Sequence, residues 1–179
     1  MNKKSIMSVA VVLSLLAATG CESAKNIDSE ERPPKQEDRS FVSINEFIDK
    51  FGGAMKNSIL HIEKKEDVLI FNMELVFSEE LKKLLSKTET RFYFNITDTT
   101  LNDSWEKNIN DRNHFVEADL QKIVADKRYV VTQKKRLQHP LSPEEEKQLL
   151  QSENYTLQIL DENFQVKFVL VGLDLDMTF

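Results

Sequence analysis

Three histidines, His61, His114 and His139, are the side chains of this sequence best suited to hold a transition metal or move a proton near neutral pH. A helical zinc site sets two histidines four residues apart, because that spacing stacks both imidazoles on one face. Here each histidine is 25 or more positions from the next, and no His-Glu-x-x-His occurs. Nucleophilic chemistry finds no better footing. There is no Gly-x-Ser-x-Gly elbow, and four glycines, one of them Gly20, leave no glycine-rich loop to stabilise an oxyanion. Ser104-Trp105-Glu106-Lys107 supplies a Ser-x-x-Lys spacing without the companion motifs of serine enzymes. Asp174 and Asp176, two apart, would share one face of a strand, where paired acids can share a proton or bind calcium. A solvated face opposite Leu173, Leu175 and Met177 is the simpler reading. Asp98, Asp103 and Asp111 suggest an oxygen-ligand loop but lack the central glycine of a calcium-binding hand. A non-enzymatic chain with no metal and no cofactor is therefore expected.

Charge narrows the partners. The formal net charge is -6, and it becomes -8 if residues 1–20, which carry Lys3 and Lys4, are removed. A phosphate backbone demands a clustered basic face, and the densest basic run, Lys134-Lys135-Arg136, is short. No nucleic-acid partner is expected.

The single cysteine, Cys21, directs attention to the start of the chain. Met-Asn-Lys-Lys is followed by an uncharged stretch from Ser5 to Gly20, a basic region and then an apolar one, as in a secretory signal. The apolar part, Ile6 to Ala18, spans 13 residues, short of the roughly 20 that a membrane-spanning helix needs. Leu16-Ala17-Ala18-Thr19-Gly20-Cys21 resembles the lipobox of bacterial lipoproteins, with Ala18 where leucine is commonest. The resemblance covers residues 1–21. It implies a thioether-linked diacylglycerol on Cys21, usually carrying palmitate-type chains, and cleavage by signal peptidase II between Gly20 and Cys21. Two or three acyl chains, each methylene contributing about 0.8 kcal/mol, anchor a protein stably. Glu22-Ser23 after the cysteine, rather than an aspartate, favours the outer membrane facing the periplasm over the cell membrane. No family is recognised beyond these residues.

Residues 22–40 hold ten charges, Pro33-Pro34 and one large aliphatic side chain, a composition that cannot bury a core. Residues 21–40 thus read as the lipidated cysteine and a flexible tether. As a coil they would reach about 25 Å, and roughly 60 Å at full stretch. Apolar periodicity begins at Phe41, so residues 41–179 read as one globular domain. With no further cysteine, it must be stabilised by burial alone.

Within that domain Ile44, Phe47, Ile48 and Phe51 predict a first helix ending at Gly52-Gly53. Strands are expected at Ile59 to Glu63, Val68 to Phe77, Arg91 to Thr97, Arg128 to Leu137, Tyr155 to Leu160 and Phe164 to Met177. Further helices are expected after Ser78, from His114 to Ala125, and after Ser142-Pro143, whose hydroxyl, proline and following acids form a strong start signal. The fold expected is α+β, an antiparallel sheet of about six strands with short helices. The alternative is a β-sandwich with helical insertions. Residues 98–113 are the least regular, and Trp105 stands alone there among Asp, Asn and Thr. It is either a plug into the core or an exposed anchor for a partner.

These readings converge on a lipid-anchored envelope protein that serves as a protein-interaction or assembly module, its partner another envelope protein. The alternatives are an immunity or inhibitor lipoprotein against an envelope toxin, and a small-ligand binder or hydrolase with a carboxylate or histidine pocket.

Overall fold

The computed structural model describes residues 40–99, 107–110 and 114–178, all within one unit, 38–179. Its longest strand alternates without a break. In β3 (Val68–Phe77), Leu69, Phe71, Met73, Leu75 and Phe77 are all buried, while the intervening residues face outward. Each such side chain contributes roughly 1.5–3 kcal/mol on burial, so the period-two pattern locks the register of everything paired to it.

On one edge β3 pairs antiparallel with β1 (Met55–Asn57) and β2 (His61–Lys65), on the other with β6 (Tyr129–Arg136). β1 and β2 form one interrupted strand. Between them Ser58 keeps contact with β3, its N–H donating to the Glu74 carbonyl and its Oγ accepting from the Glu74 N–H. The β2–β3 turn is tight, with β2 running on past the expected strand end at Glu63 to Lys65. Lys65 already pairs with Val68, and Glu66 takes the left-handed conformation with φ 53°.

The second sheet has the order β5 (Val116–Glu117), β4 (Tyr93–Asp98), β7 (Tyr155–Leu160), β8 (Val166–Leu170), with every pairing antiparallel. The fold is α+β, as expected, and the described residues form eight strands in two antiparallel sheets, where about six strands were expected. The added strands, β1 and β5, are three and two residues long, too short to show a period in sequence. The buried faces of the two sheets meet in a single core. Phe71 lies edge-on to Tyr155 at 5.1 Å, and Phe94 lies 5.8 Å from Tyr129. Burial pushes the Tyr155 phenol well up, with Asp98 adding to the shift, so it stays protonated and donates to the Leu149 carbonyl at 2.7 Å.

Among the described residues short helices border the sheets, including α1 (Phe51–Ala54), α2 (Glu79–Lys87), α3 (Leu120–Ala125) and α4 (Pro143–Leu149). The expected first helix is instead two 3-10 turns, Ile44–Glu46 and Ile48–Lys50, followed by the single turn α1. Phe47, at φ -139° and ψ 14°, breaks the run. The helix expected from His114 begins only at Leu120. Asp119 caps it by accepting from the Lys122 N–H, while Val116 has already paired with Phe94. At the start signal expected after Ser142, the side chains of Ser142 and Glu145 close a capping box on α4.

The last strand is also shorter than its sequence pattern. β8 ends at Leu170, and Gly172, at φ 72°, turns the chain toward the first sheet. There the Leu60 N–H donates to the Leu173 carbonyl, the Met177 N–H donates to the Asn57 carbonyl, and Asn57 Nδ2 donates to the Leu175 carbonyl. The tail occupies the interruption between β1 and β2.

Candidate functional site

The turn that joins β7 to β8 is built around one buried carboxylate. Asp161 is 1% exposed. Its Oδ1 accepts from the backbone N–H groups of Asn163 and Gln165, both at 2.9 Å. Its Oδ2 meets Lys167 Nζ at 3.1 Å and Asn45 Nδ2 at 3.4 Å. Burial by itself would raise this carboxyl. The Gln165 N–H, the Lys167 ammonium, the Asn163 N–H and the Asn45 amide outweigh it and hold the group below the usual carboxylate range. Next to it, Ser43 Oγ donates to Glu162 at 3.1 Å, tying the turn again to the start of the domain.

A turn held this firmly can keep a residue in an unfavourable conformation. Phe164 has φ 60°, a region that costs a bulky L-residue roughly 1–2 kcal/mol. The residue is 50% exposed. It lies 4.7 Å from the Tyr93 ring and stacks on Phe115 at 5.3 Å. Three aromatic rings thus share one surface, rimmed by the ion pair of Arg91 and Glu117 at 3.1 Å.

The surface continues along β8. Leu160 pairs with Val166 but Ile159 pairs with Phe168, so β8 carries one extra residue, Lys167, at a bulge. That residue keeps Val166 and Val169, three positions apart, on the same outward face, with Val171 beyond them. All three are exposed, while Phe168 and Leu170 turn inward against the core. Phe164, Val166, Val169 and Val171 together form an exposed apolar row beside the aromatic group, the kind of patch that marks an interaction surface.

Among the described residues, those singled out by chemistry are not brought together. His61 lies on β2, pairing with Asn72, His114 precedes β5, and His139 is exposed in a loop with Nδ1 3.0 Å from the Pro140 carbonyl. Among the described residues no three of His, Cys, Asp and Glu gather to hold a metal ion. Asp174 and Asp176 lie beyond β8 and not on a strand, so the expected shared strand face is corrected. Asp176 instead accepts from the Thr178 hydroxyl and N–H, bonds that hold its carboxyl low. Asp98 ends β4, while Asp103 and Asp111 are outside the described residues, as are Gly20, Cys21, Ser104 and Trp105.

Sequence reasoning passed over Phe164, reading it as the first residue of a strand, and Phe115, reading it as helical core. One signal was present. Asp161-Glu162-Asn163 before an aromatic residue is a turn whose acid can accept from the N–H groups just after it. Compared with family models, curated proteins and solved structures, the chain finds no match.

Proposed function

We propose that this protein is a lipoprotein of the bacterial envelope that binds another envelope protein and catalyses no reaction. In this reading signal peptidase II cuts between Gly20 and Cys21, and acyl chains on Cys21 anchor the protein to the outer membrane, facing the periplasm. Residues 22–40 tether the domain to that anchor. The observation that carries the interaction role is Phe164, half exposed in a strained backbone conformation that the buried Asp161 maintains. A rigid exposed aromatic loses little entropy on binding, as anchors of protein interfaces require. Trp105 belongs to the same proposal as a second aromatic for the partner.

Two measurements test it. Cys21→Ser should abolish incorporation of a fatty-acid analogue in cells and leave uncleaved precursor, and incorporation at the wild-type level would overturn the anchor. Phe164→Ala should weaken crosslinking to the envelope partner by about 2 kcal/mol or more while the melting temperature holds. Crosslinking to the same protein in unchanged yield would remove the turn from the interface.

A further inference from the structure

The chain enters the domain beside the aromatic group. Ser40 accepts at its carbonyl from the Glu89 N–H at 3.3 Å, and the exposed Phe41 forms a β-bridge with Glu89. Two residues beyond Glu89 stands Arg91, which with Glu117 rims the aromatic surface. Three residues beyond Ser40, the Ser43 hydroxyl donates to Glu162 at 3.1 Å, and two residues beyond Glu162 stands Phe164. Three residues span at most roughly 11 Å, so residues 22–40 join the domain at this patch and not at a far end.

What meets the rings depends on what this attachment brings near. Residues 22–40, with ten charges and one large aliphatic side chain, have almost nothing apolar to lay on them. With Cys21 acylated, a coil of about 25 Å holds the patch within reach of the bilayer. Contact is then intramolecular, at an effective concentration of roughly millimolar, so a surface too small to hold a membrane from solution is large enough. The rim offers no excess of cation to anionic headgroups. Arg91 meets Glu117 at 3.1 Å and Lys167 meets Asp161 at 3.1 Å, while Glu89 and Glu162 add acid. Contact must come from burying Phe164 and Val166, with the Tyr93 ring at the level of the headgroups, where aromatic side chains concentrate at membrane surfaces.

We propose that, where no protein occupies it, the turn of Phe164, with Tyr93 and Val166, rests in the headgroup region of the bilayer that carries the acylated Cys21, and that zwitterionic lipid is the surface it meets. This rests on the reading of Cys21 as a lipid anchor. It goes beyond the partner reading by setting lipid and protein in competition for the same ring, so that the partner meets the domain at the bilayer surface.

The test uses the full chain, purified from cells with its acyl groups and reconstituted into phosphatidylcholine vesicles. Acylation uses the only native thiol, so a nitroxide can be placed at Val166→Cys, beside the turn, or at Lys134→Cys, exposed on the outward face of the first sheet. The label at position 166 should collide at least threefold less often with a water-soluble nickel chelate and more often with oxygen, while the label at position 134 stays in water. Adding Phe164→Ser should return the first label to water, and salt at about 1 M should leave it in place, since burial and not charge holds it. A label at position 166 no drier than the one at position 134 would overturn the proposal, as would insertion that ignores Phe164→Ser or that salt abolishes. Spectral broadening by a second nitroxide would give the rings to another copy of the chain and overturn it equally. A purified chain whose mass includes no acyl group brings down the anchor reading and this proposal with it. An acylated chain whose label at position 166 stays in water brings down the proposal alone.

Discussion

Asp161 concentrates more structural consequence than any other single residue of the turn. A carboxylate that accepts from two backbone N–H groups and faces an ammonium is favoured in its charged form, so its pKa is lower folded than unfolded. The stabilisation is fully present above the unfolded value of about 3.9 and is lost as pH falls through the lower folded value. The turn should accordingly hold at neutral pH and loosen only in acid below about pH 4. Asp161→Asn keeps the shape but loses the charge, and should destabilise the domain by about 1.5–3 kcal/mol at pH 7, the range for hydrogen bonds to a charged group. Urea unfolding at pH 7 and again near pH 3 checks both parts. The difference between variant and wild type should shrink in acid, and a constant difference would show that the charge contributes nothing.

Gln133 shows how an element is terminated by a side chain instead of by a turn. β5 pairs with β4 only at Tyr93 and Phe94, which leaves the next stretch of that β4 edge without a strand partner. From β6, the buried Gln133 amide fills the gap. Its Oε1 accepts from the Ile96 N–H at 2.6 Å, and its Nε2 donates to Asn95 Oδ1 at 3.1 Å and to the His114 carbonyl. Lys135, also buried, approaches the same Asn95 oxygen at 3.4 Å. Gln133→Leu should cost about 3 kcal/mol in urea unfolding, since it strands a buried N–H and a carbonyl at once. Thr132→Val, on the outward face of the same strand, removes an exposed bond to Asn72 and should cost under about 1 kcal/mol. Equal costs would mean that the buried amide network does not hold β4 to β6.

The same two strands show what was legible in the sequence. The core residues of β3, the inward Phe92, Phe94 and Ile96, and the caps at Ser78 and Ser142 could be read directly, because alternation and capping depend on neighbours in the chain. The division into two sheets could not, because it depends on β6 choosing β3 while β7 chooses β4 across 56 intervening residues. The aromatic turn was hidden for a similar reason. Phe164 reads as core by type, and only the bonds that Asn45 and Lys167 bring to Asp161 show why it is held outside. Of the residues proposed from sequence, Cys21 and Trp105 rest on local pattern alone and lie outside the described residues.

At the scale of the whole molecule, the two sheets are joined by their common core and by a strap, the tail from Leu173 to Met177. Leu173 is completely buried, and three hydrogen bonds fasten the tail to Asn57 and Leu60 on the first sheet. No disulfide is possible beyond Cys21, so this strap and the core must carry the stability. A chain starting at Ser40 should therefore melt cooperatively, at a temperature indifferent to chelator or reductant. A shift of many degrees with chelator would reveal a bound metal. Ending that chain after Val171 removes one buried leucine, worth roughly 1.5–3 kcal/mol, and leaves the Leu60 N–H and the Asn57 side chain to find water. The expected loss is about 4 kcal/mol, a large share of the 5–15 kcal/mol that a domain usually has. Near-ultraviolet circular dichroism would follow the packing of Tyr155 and Tyr129 between the sheets as the shortened chain is heated. If the tail is a strap, that signal and the backbone signal should both be lost at a much lower temperature. A truncated chain that melts with the parent would show that the core alone holds the sheets together.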